Sequence, residues 1–518
     1  MYVKCLINPS EYHDSVTLME TARELTRLPG VVDAAVVMAT EANKAILDKA
    51  GLFVPAIESA TSNDLVVVVR AESEMAAQQA LQAAGDHLSR RAQSAPSETT
   101  FQPRTLRGAI RSNTQANLVV ISLAGRYASA EAWDALRNGL HVLLFSDNVP
   151  IEDEIALKQY AVEHDLFMMG PDCGTAIIDG VALGFANAVP RGPVGIVAAA
   201  GTGLQEASTL LAKMGIGITQ GIGTGGRDLK TPVGGLMMRQ GIKALQSDPD
   251  TQVLLLISKP PAATVARRVL EQVSRSDKPA VVCFLGGDPG PIAEAGAIPA
   301  RTLQEAAHLA AAQIDGTSVD EILERETADL EARAVELEKR LKPEQKYLRG
   351  LFSGGTLATE ALIVWQEIVG DVYSNVALRP ALQLQDAAQS TQHCAIDLGE
   401  DEFTIGRLHP MLDNDLRIRR LMQEAADPQV AAIMLDVVLG YGVHPDPAAE
   451  LGPAILQART AAAKAGRELL VVASVTGTKH DPQDLNRQVQ TLEAAGAIVA
   501  SCNAAAARLA GFLVRGRS

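Results

Sequence analysis

The sequence predicts an α/β protein built on parallel sheets: a small N-terminal α/β sandwich, a Rossmann-like unit, and two tandem units of one design. Three observations carry this reading. Apolar runs of strand length alternate with helical patterns along most of the 518 residues. A Gly-Thr turn occurs twice, in VGIVAAAGTGLQEASTLLAKMG and in YLRGLFSGGTLATEALIVW. Each copy heads the same succession of elements, the mark of an internal repeat.

Residues 1 to 93 read strand, helix, strand, helix, strand, helix, from YVKCLINP to EMAAQQALQAAGDHLSR. SAPSETTFQPRTLRG is a polar, Pro-containing linker. NLVVISLAG, HVLLFSDNV and LFMMGPDCG are the strands of a Rossmann-like unit over 106–190. The first repeat spans 193–314. Residues 318–346, SVDEILERETADLEARAVELEKRLKPEQK, are dense in charge and read as a solvated connecting helix. The second repeat covers 349–518 and carries an insertion around ALRPALQLQDAAQSTQH.

The repeats match element by element. After the Gly-Thr helix, GIGTGGRDL corresponds to IDLGEDEF and QSDPDTQV to EAADPQV. The strand LLLISKPP corresponds to AIMLDVVLGYG, and AVVCFLGG to LLVVASVTGT. An Ala-rich helix closes each, LQEAAHLAAAQI and NAAAARLAGFLV.

The composition narrows the partners. A net charge of −15 argues against nucleic acid or an anionic membrane surface. No apolar run approaches membrane-spanning length and no signal-like segment opens the chain, so a cytoplasmic protein is expected. Cys5, Cys173, Cys283, Cys394 and Cys502 are scattered, which excludes a disulfide framework and gives no metal motif.

A turn of small residues that opens a helix leaves backbone N–H groups pointing outward, where the helix dipole also favours an anion. Two such turns facing one another are expected to hold a phosphate from two sides; glycine that only lets strand and helix pack closely is the other reading.

At MMGPDCGTAI followed by GPVGIVAAAGTGLQE the chain resembles the α subunit of succinyl-CoA synthetase. The second repeat resembles the C-terminal ligase domain of the β subunit. The resemblance implies two flavodoxin-like domains of succinyl-CoA-synthetase type behind a CoA-binding-like unit. FSDNVPIEDEIALK, MMGPDCGTAI, SGGTLATEA and IDLGEDEFTIGRLHPM resemble the FdrA family over essentially the whole chain.

The departures from the ligases decide the chemistry. Glu294 stands where those enzymes carry a phosphorylated histidine, and Lys259 where they carry a glutamate that orients it. Residues 1 to 116 hold no counterpart of the glycine-rich CoA turn, and no ATP-grasp module is visible. No cofactor is expected, and CoA is not expected to bind. The FdrA resemblance implies a transferase: one subunit of an oxamate carbamoyltransferase in allantoin breakdown, assembled with companion chains. It interconverts oxalurate plus phosphate with oxamate plus carbamoyl phosphate, both small-molecule reactions. A non-catalytic phosphate-sensing scaffold and a residual acid–thiol ligase are the alternatives.

The resemblance places the phosphate-binding helix starts at Gly201, Thr202 and Gly203 and at Gly440, Tyr441 and Gly442. Lys259, ending an apolar strand before two prolines, is expected to meet phosphate or carboxylate; a surface lysine is the other reading. His409 and Arg407 form the sharpest polar cluster of the second repeat. The histidine either protonates a leaving nitrogen or bonds backbone near Pro410. Arg227 and Asp228 sit in a glycine-rich loop, as ligand contacts or as an ion pair. Arg126 is a candidate for oxamate's carboxylate or a surface arginine. Thr476, with Gly477 and Thr478, completes the pocket or forms a turn.

Overall fold

The computed structural model describes all residues except 12, 14, 94–102, 104, 124, 405, 406 and 518. The chain divides into two units: residues 1–112 with 400–409, and residues 113–399 with 410–518.

The smaller unit is built on Leu65–Ala71, a strand of valines buried on both faces. Tyr2–Asn8 and Val31–Met38 flank it, both antiparallel to it. The α/β alternation predicted parallel pairing here. The crossover through Ser15–Thr26 instead leaves a gap between the first two strands, which the third fills running the other way. Leu18, Leu25, Ala77, Ala80 and Ala84 pack on one face against Val67 and Val69. Leu47, Leu52 and Ile57 pack on the other against Val66 and Val68, which makes the expected sandwich.

The larger unit holds three sheets. Leu118–Ile121, His141–Leu144 and Met168–Met169 form a short parallel one. The hairpin Thr175–Ile178 and Val181–Gly184, read from sequence as part of this region, pairs instead with Ile218–Gly223. It thereby joins a seven-stranded sheet whose parallel strands are Ile298–Pro299, Ala280–Phe284, Val253–Ser258, Arg191–Ala198 and Ile218–Gly223, in that spatial order.

The third sheet repeats the arrangement: Ile498–Ala500, Leu470–Thr476, Val430–Val438, Tyr347–Phe352 and Cys394–Asp397, all parallel. Tyr373–Ser374, just ahead of the expected insertion, adds one more edge strand. In both sheets the strand before the Gly-Thr helix lies between two others, buried on both faces as parallel strands require. The two repeats therefore share one topology.

Val319–Glu338 is the expected connecting helix, but it is not solvated all round. Leu330 and Ala334 are buried in the shared core, and Arg515 and Arg517 bond Glu331 and Glu338 at 2.8 and 3.0 Å.

A buried ion cluster ties the short sheet to the first repeat. Lys158 Nζ donates to Glu154 Oε1 at 2.8 Å, to Asp228 Oδ1 at 2.9 Å and to Thr224 O at 2.9 Å. All three charged side chains are fully enclosed. Lys158→Met should leave Asp228 without its cation and Glu154 with Arg227 alone, and cost about 3–5 kcal/mol; a drop in urea midpoint without change in slope is the expected reading.

Candidate functional site

Each Gly-Thr turn opens a helix directly: Gly201–Lys213 and Gly355–Val369. The residues before them, Ala200 and Gly354, supply no side-chain cap. The two first turns press against one another. A Cβ on Gly354 would lie 2.8 Å from Thr202 Cγ2, and one on Gly203 would lie 3.0 Å from Thr356 Cγ2. Only small residues permit this approach, which explains the glycines at both places.

Two carboxylates and two cations surround the contact. Asp436, buried inside the strand Val430–Val438, accepts from Ser353 N–H at 2.8 Å, Gly354 N–H at 2.9 Å and Ser353 Oγ at 2.9 Å. Arg417 faces it at 3.0 Å, and burial pulls that guanidinium below its ordinary range against the pull of Asp436. Asp397 ends Cys394–Asp397, the strand on the other side of Tyr347–Phe352. Its backbone N–H and C=O are both held by the Asn375 side chain at 2.9 Å, and its Oδ1 accepts from Gly399 N–H at 2.9 Å.

Lys259 reaches this place from the first repeat. A Cβ on Gly355 would lie 2.5 Å from Asp397 Oδ2 and 3.0 Å from Lys259 Nζ. Ammonium, carboxylate and helix start thus converge on one point, where the strand ends of both sheets and the two turns meet.

The other expected residues are placed differently. No helix begins at Gly440: the next one starts at Pro447, and the loop between has positive φ at Gly440 and Gly442. Gly440 N–H is bound to Gln483 Oε1 at 3.0 Å and Tyr441 N–H to Ala186 O at 2.8 Å, so neither is left for an anion. The prolines in VHPDP delay the helix by locking extended backbone ahead of it. This corrects the expectation of a helix start at Gly440, Tyr441 and Gly442; in the second repeat the helix that faces Gly201–Lys213 opens at Gly355.

Asp228 is fully buried and structural, accepting from Met238 N–H at 2.9 Å as well as from Lys158. Arg227 bonds Glu154 Oε2 at 2.9 Å and Val149 O at 2.8 Å, the ion-pair alternative for this loop. Thr476 is buried and donates to Glu206 Oε2. Arg126 is exposed at the start of Gly125–Arg137, 4.6 Å from the centre of the Tyr127 ring. Arg407 and His409 belong to the smaller unit. Glu294 is exposed, and burial pushes the Cys173 thiol up to about 12, so it is no nucleophile.

Asp397 and Asp436 were missed from sequence, although a signal existed. Each is a lone carboxylate at or inside an apolar strand, in CAID and in VAAIMLDVV. Such a residue is costly unless it is hydrogen-bonded or paired.

Gly355→Ala would drive a methyl into Asp397 and Lys259, so the variant should fold yet lose thermal protection by phosphate. Gly354→Val should go further and lower stability as well, because Thr202 cannot retreat from its helix; thermal melts with and without 20-fold excess phosphate over its dissociation constant, about 1.8 kcal/mol of linkage, separate the two.

Three family models match. One described as CoA-ligase covers residues 351–513, one described as AllF, heavy metal-associated domain covers 1–103, and one described as CoA binding domain covers 191–286, within the first repeat. The middle description does not fit a soft metal site here. Cys5 is the sole cysteine of that stretch, and among the described residues no three His, Cys, Asp or Glu side chains are grouped to hold an ion.

The α subunit of ADP-forming succinate–CoA ligase from Aquifex aeolicus (strain VF5) is 29% identical over 194 residues, covering 36% of this chain and 61% of that subunit. The chain therefore spans less than two thirds of that relative. An ATP citrate lyase structure from Methanothrix soehngenii, in complex with citrate and coenzyme A, aligns at 18% identity with a TM-score of 0.36, over 43% of this chain and 41% of that one. That value is too low to build on. YahF of Escherichia coli (strain K12) is 46% identical over 501 residues, 97% of this chain and 96% of that protein. The chain belongs to the family of YahF, in which an AllF-type N-terminal domain precedes CoA-binding and CoA-ligase domains.

Proposed function

We propose that this chain is one subunit of a carbamoyltransferase that interconverts oxalurate plus phosphate with oxamate plus carbamoyl phosphate. The observation that carries the reading is the meeting of two uncapped helix starts with Lys259 Nζ at one point. Two positive helix ends favour an anion, and Lys259 stands beside them together with Asp397. With Glu294 in the place of the ligases' histidine, the anion is read as free phosphate and not as a covalent phosphoryl group. The description of the N-terminal family model, naming AllF, supports a place in allantoin breakdown.

In this reading a phosphate oxygen attacks the ureido carbon of oxalurate, the bond from that carbon to the inner nitrogen breaks, and the proton of monohydrogen phosphate passes to that nitrogen. Carbamoyl phosphate and oxamate result. The chain's part is to hold phosphate in place and stabilise the charge it carries, through helix N–H groups and Lys259. Companion chains supply the remainder of the oxalurate site.

A second reading has its own support. The CoA-ligase and CoA-binding model matches favour a residual acid–thiol ligase. The chain purified alone and with companion chains, supplied with oxalurate and phosphate or with succinate, nucleotide and CoA, distinguishes the two. Carbamoyl phosphate formation supports the transferase, and acyl-CoA formation replaces it with the ligase.

Lys259→Glu should weaken phosphate use by about 2–4 kcal/mol, comparable to losing one oxyanion donor, and leave oxalurate binding nearly intact. Lys259→Ala should fall between. Steady-state rates with phosphate varied measure this, and an unchanged phosphate dependence in the Glu variant would assign Lys259 to the surface.

A further inference from the structure

The helices that carry the two Gly-Thr turns are joined a second time, one turn and a half further along. Glu206 and Glu360 occupy the same position, five residues after Gly201 and Gly355, and both are enclosed in the shared core. Glu206 Oε1 accepts from Asn503 N–H at 2.8 Å, and its Oε2 accepts from Thr476 Oγ1. Glu360 Oε1 accepts from Leu303 N–H at 2.6 Å, and its Oε2 from Asn503 Nδ2 at 2.7 Å. Leu303 and Asn503 are the first residues of the helices Leu303–Asp315 and Asn503–Phe512, which close the first and second repeats.

Each carboxylate therefore caps the closing helix of the other repeat. The arrangement is a crossed clamp, and Asn503 bridges its halves, since Nδ2 also donates to Leu357 O at 3.0 Å on the second Gly-Thr helix. A cap satisfies helix N–H groups in any fold. Crossing two of them also fixes how far apart the two capped units sit.

We propose that Glu206, Glu360 and Asn503 are positioning residues for the anion site, holding the two helix starts at binding distance while the clamp keeps one proton and loosening them when it is lost. The inference rests on the anion site described under the proposed function. Two buried carboxylates bridged by the backbone N–H and the side-chain amide of one residue, Asn503, cannot both ionise without mutual repulsion in a weakly screened interior. Burial first, and then the charge of Glu206, push Glu360 up to about 7, against the hydrogen bonds from Asn503 and Leu303 and the attraction of Arg508. The Cys283 thiol beside Glu360 and the Cys502 thiol beside both glutamates are raised by burial first, and Glu305 and Glu326 act on these thiols in the same direction. None of these changes the sign.

A carboxyl raised in the folded state contributes stability that is complete below its unfolded value near 4.5 and is lost as pH rises through about 7. Anion affinity should follow the same course. Sulfate is the suitable probe, because its charge is constant across this range whereas phosphate titrates.

The experiment is calorimetric titration of the full chain with sulfate from pH 6 to pH 8.5. Affinity should fall at least about fivefold in the wild type, and Glu360→Gln should abolish the fall. A flat wild-type profile, or an equal fall in Glu360→Gln, overturns the clamp while leaving the anion site standing. Absence of both sulfate and phosphate binding at every pH removes the anion site and the clamp with it. Should Glu360→Gln fail to fold, the infrared carbonyl stretch of a protonated carboxyl in the wild type decides: it should vanish as pH rises through about 7, and a spectrum without it at pH 6 overturns the proposal.

Discussion

Two helix starts pressed together are an electrostatic problem before they are a site. Each carries roughly half a positive charge, and like ends in contact repel. Much of the chemistry near the contact reads as compensation. Asp436 takes the N–H groups just ahead of the second helix, and Asp397 stands beside Gly355. Lys259 then adds a cation to the same point. Arg417 answers Asp436 and Lys259 stands near Asp397, so the charged side chains offset one another and the two helix ends remain the positive element of the place.

Most of the fold was legible because the duplication could be read twice. The Gly-Thr turn, the two apolar strands and the Ala-rich closing helix recur in order, and both sheets adopt one strand order as a consequence. What was not legible lies where pairing is decided by distant partners. TAIID and VALG, 175–179 and 181–184, read as well in one sheet as in another, and the choice falls to Ile218–Gly223, through the antiparallel pairing of Ile177 with Gly221. The antiparallel sense of Leu65–Ala71 was hidden for the same reason: a run of valines specifies burial, not direction.

The site was legible in part. The first turn and Lys259 are where their sequence suggested, because a strand end and two prolines fix them locally. The Gly440 turn was misread, since glycine at a strand end signals either a helix start or a loop, and VHPDP decides for the loop. Glu206 and Glu360 went unnoticed. A Glu inside an Ala-rich helix normally faces solvent, and only the partner helices show that these two face inward.

The duplication does not give two equal sites, and the asymmetry is itself built by contacts. In doubly wound sheets a ligand lies beyond the carboxyl ends of the strands. In the second repeat that region is filled by the chain itself: Asn187 Nδ2 donates to Leu439 O and to Asp481 Oδ2, both at 2.8 Å, and Ala188 N–H donates to Asp481 Oδ1 at 2.7 Å. Thr478 Oγ1 returns a bond to Ala188 O at 2.7 Å. The segment that plugs the second crevice follows directly on the hairpin that edges the first sheet, so the repeats are locked by the same residues that make them unequal. By strand register Lys259 has its counterpart at Val438, which carries no charge. One repeat thus contributes Lys259 and a helix start to the shared point, and the other contributes a helix start, two carboxylates and Arg417. The division makes the two sides of that point chemically unequal although the repeats share one topology.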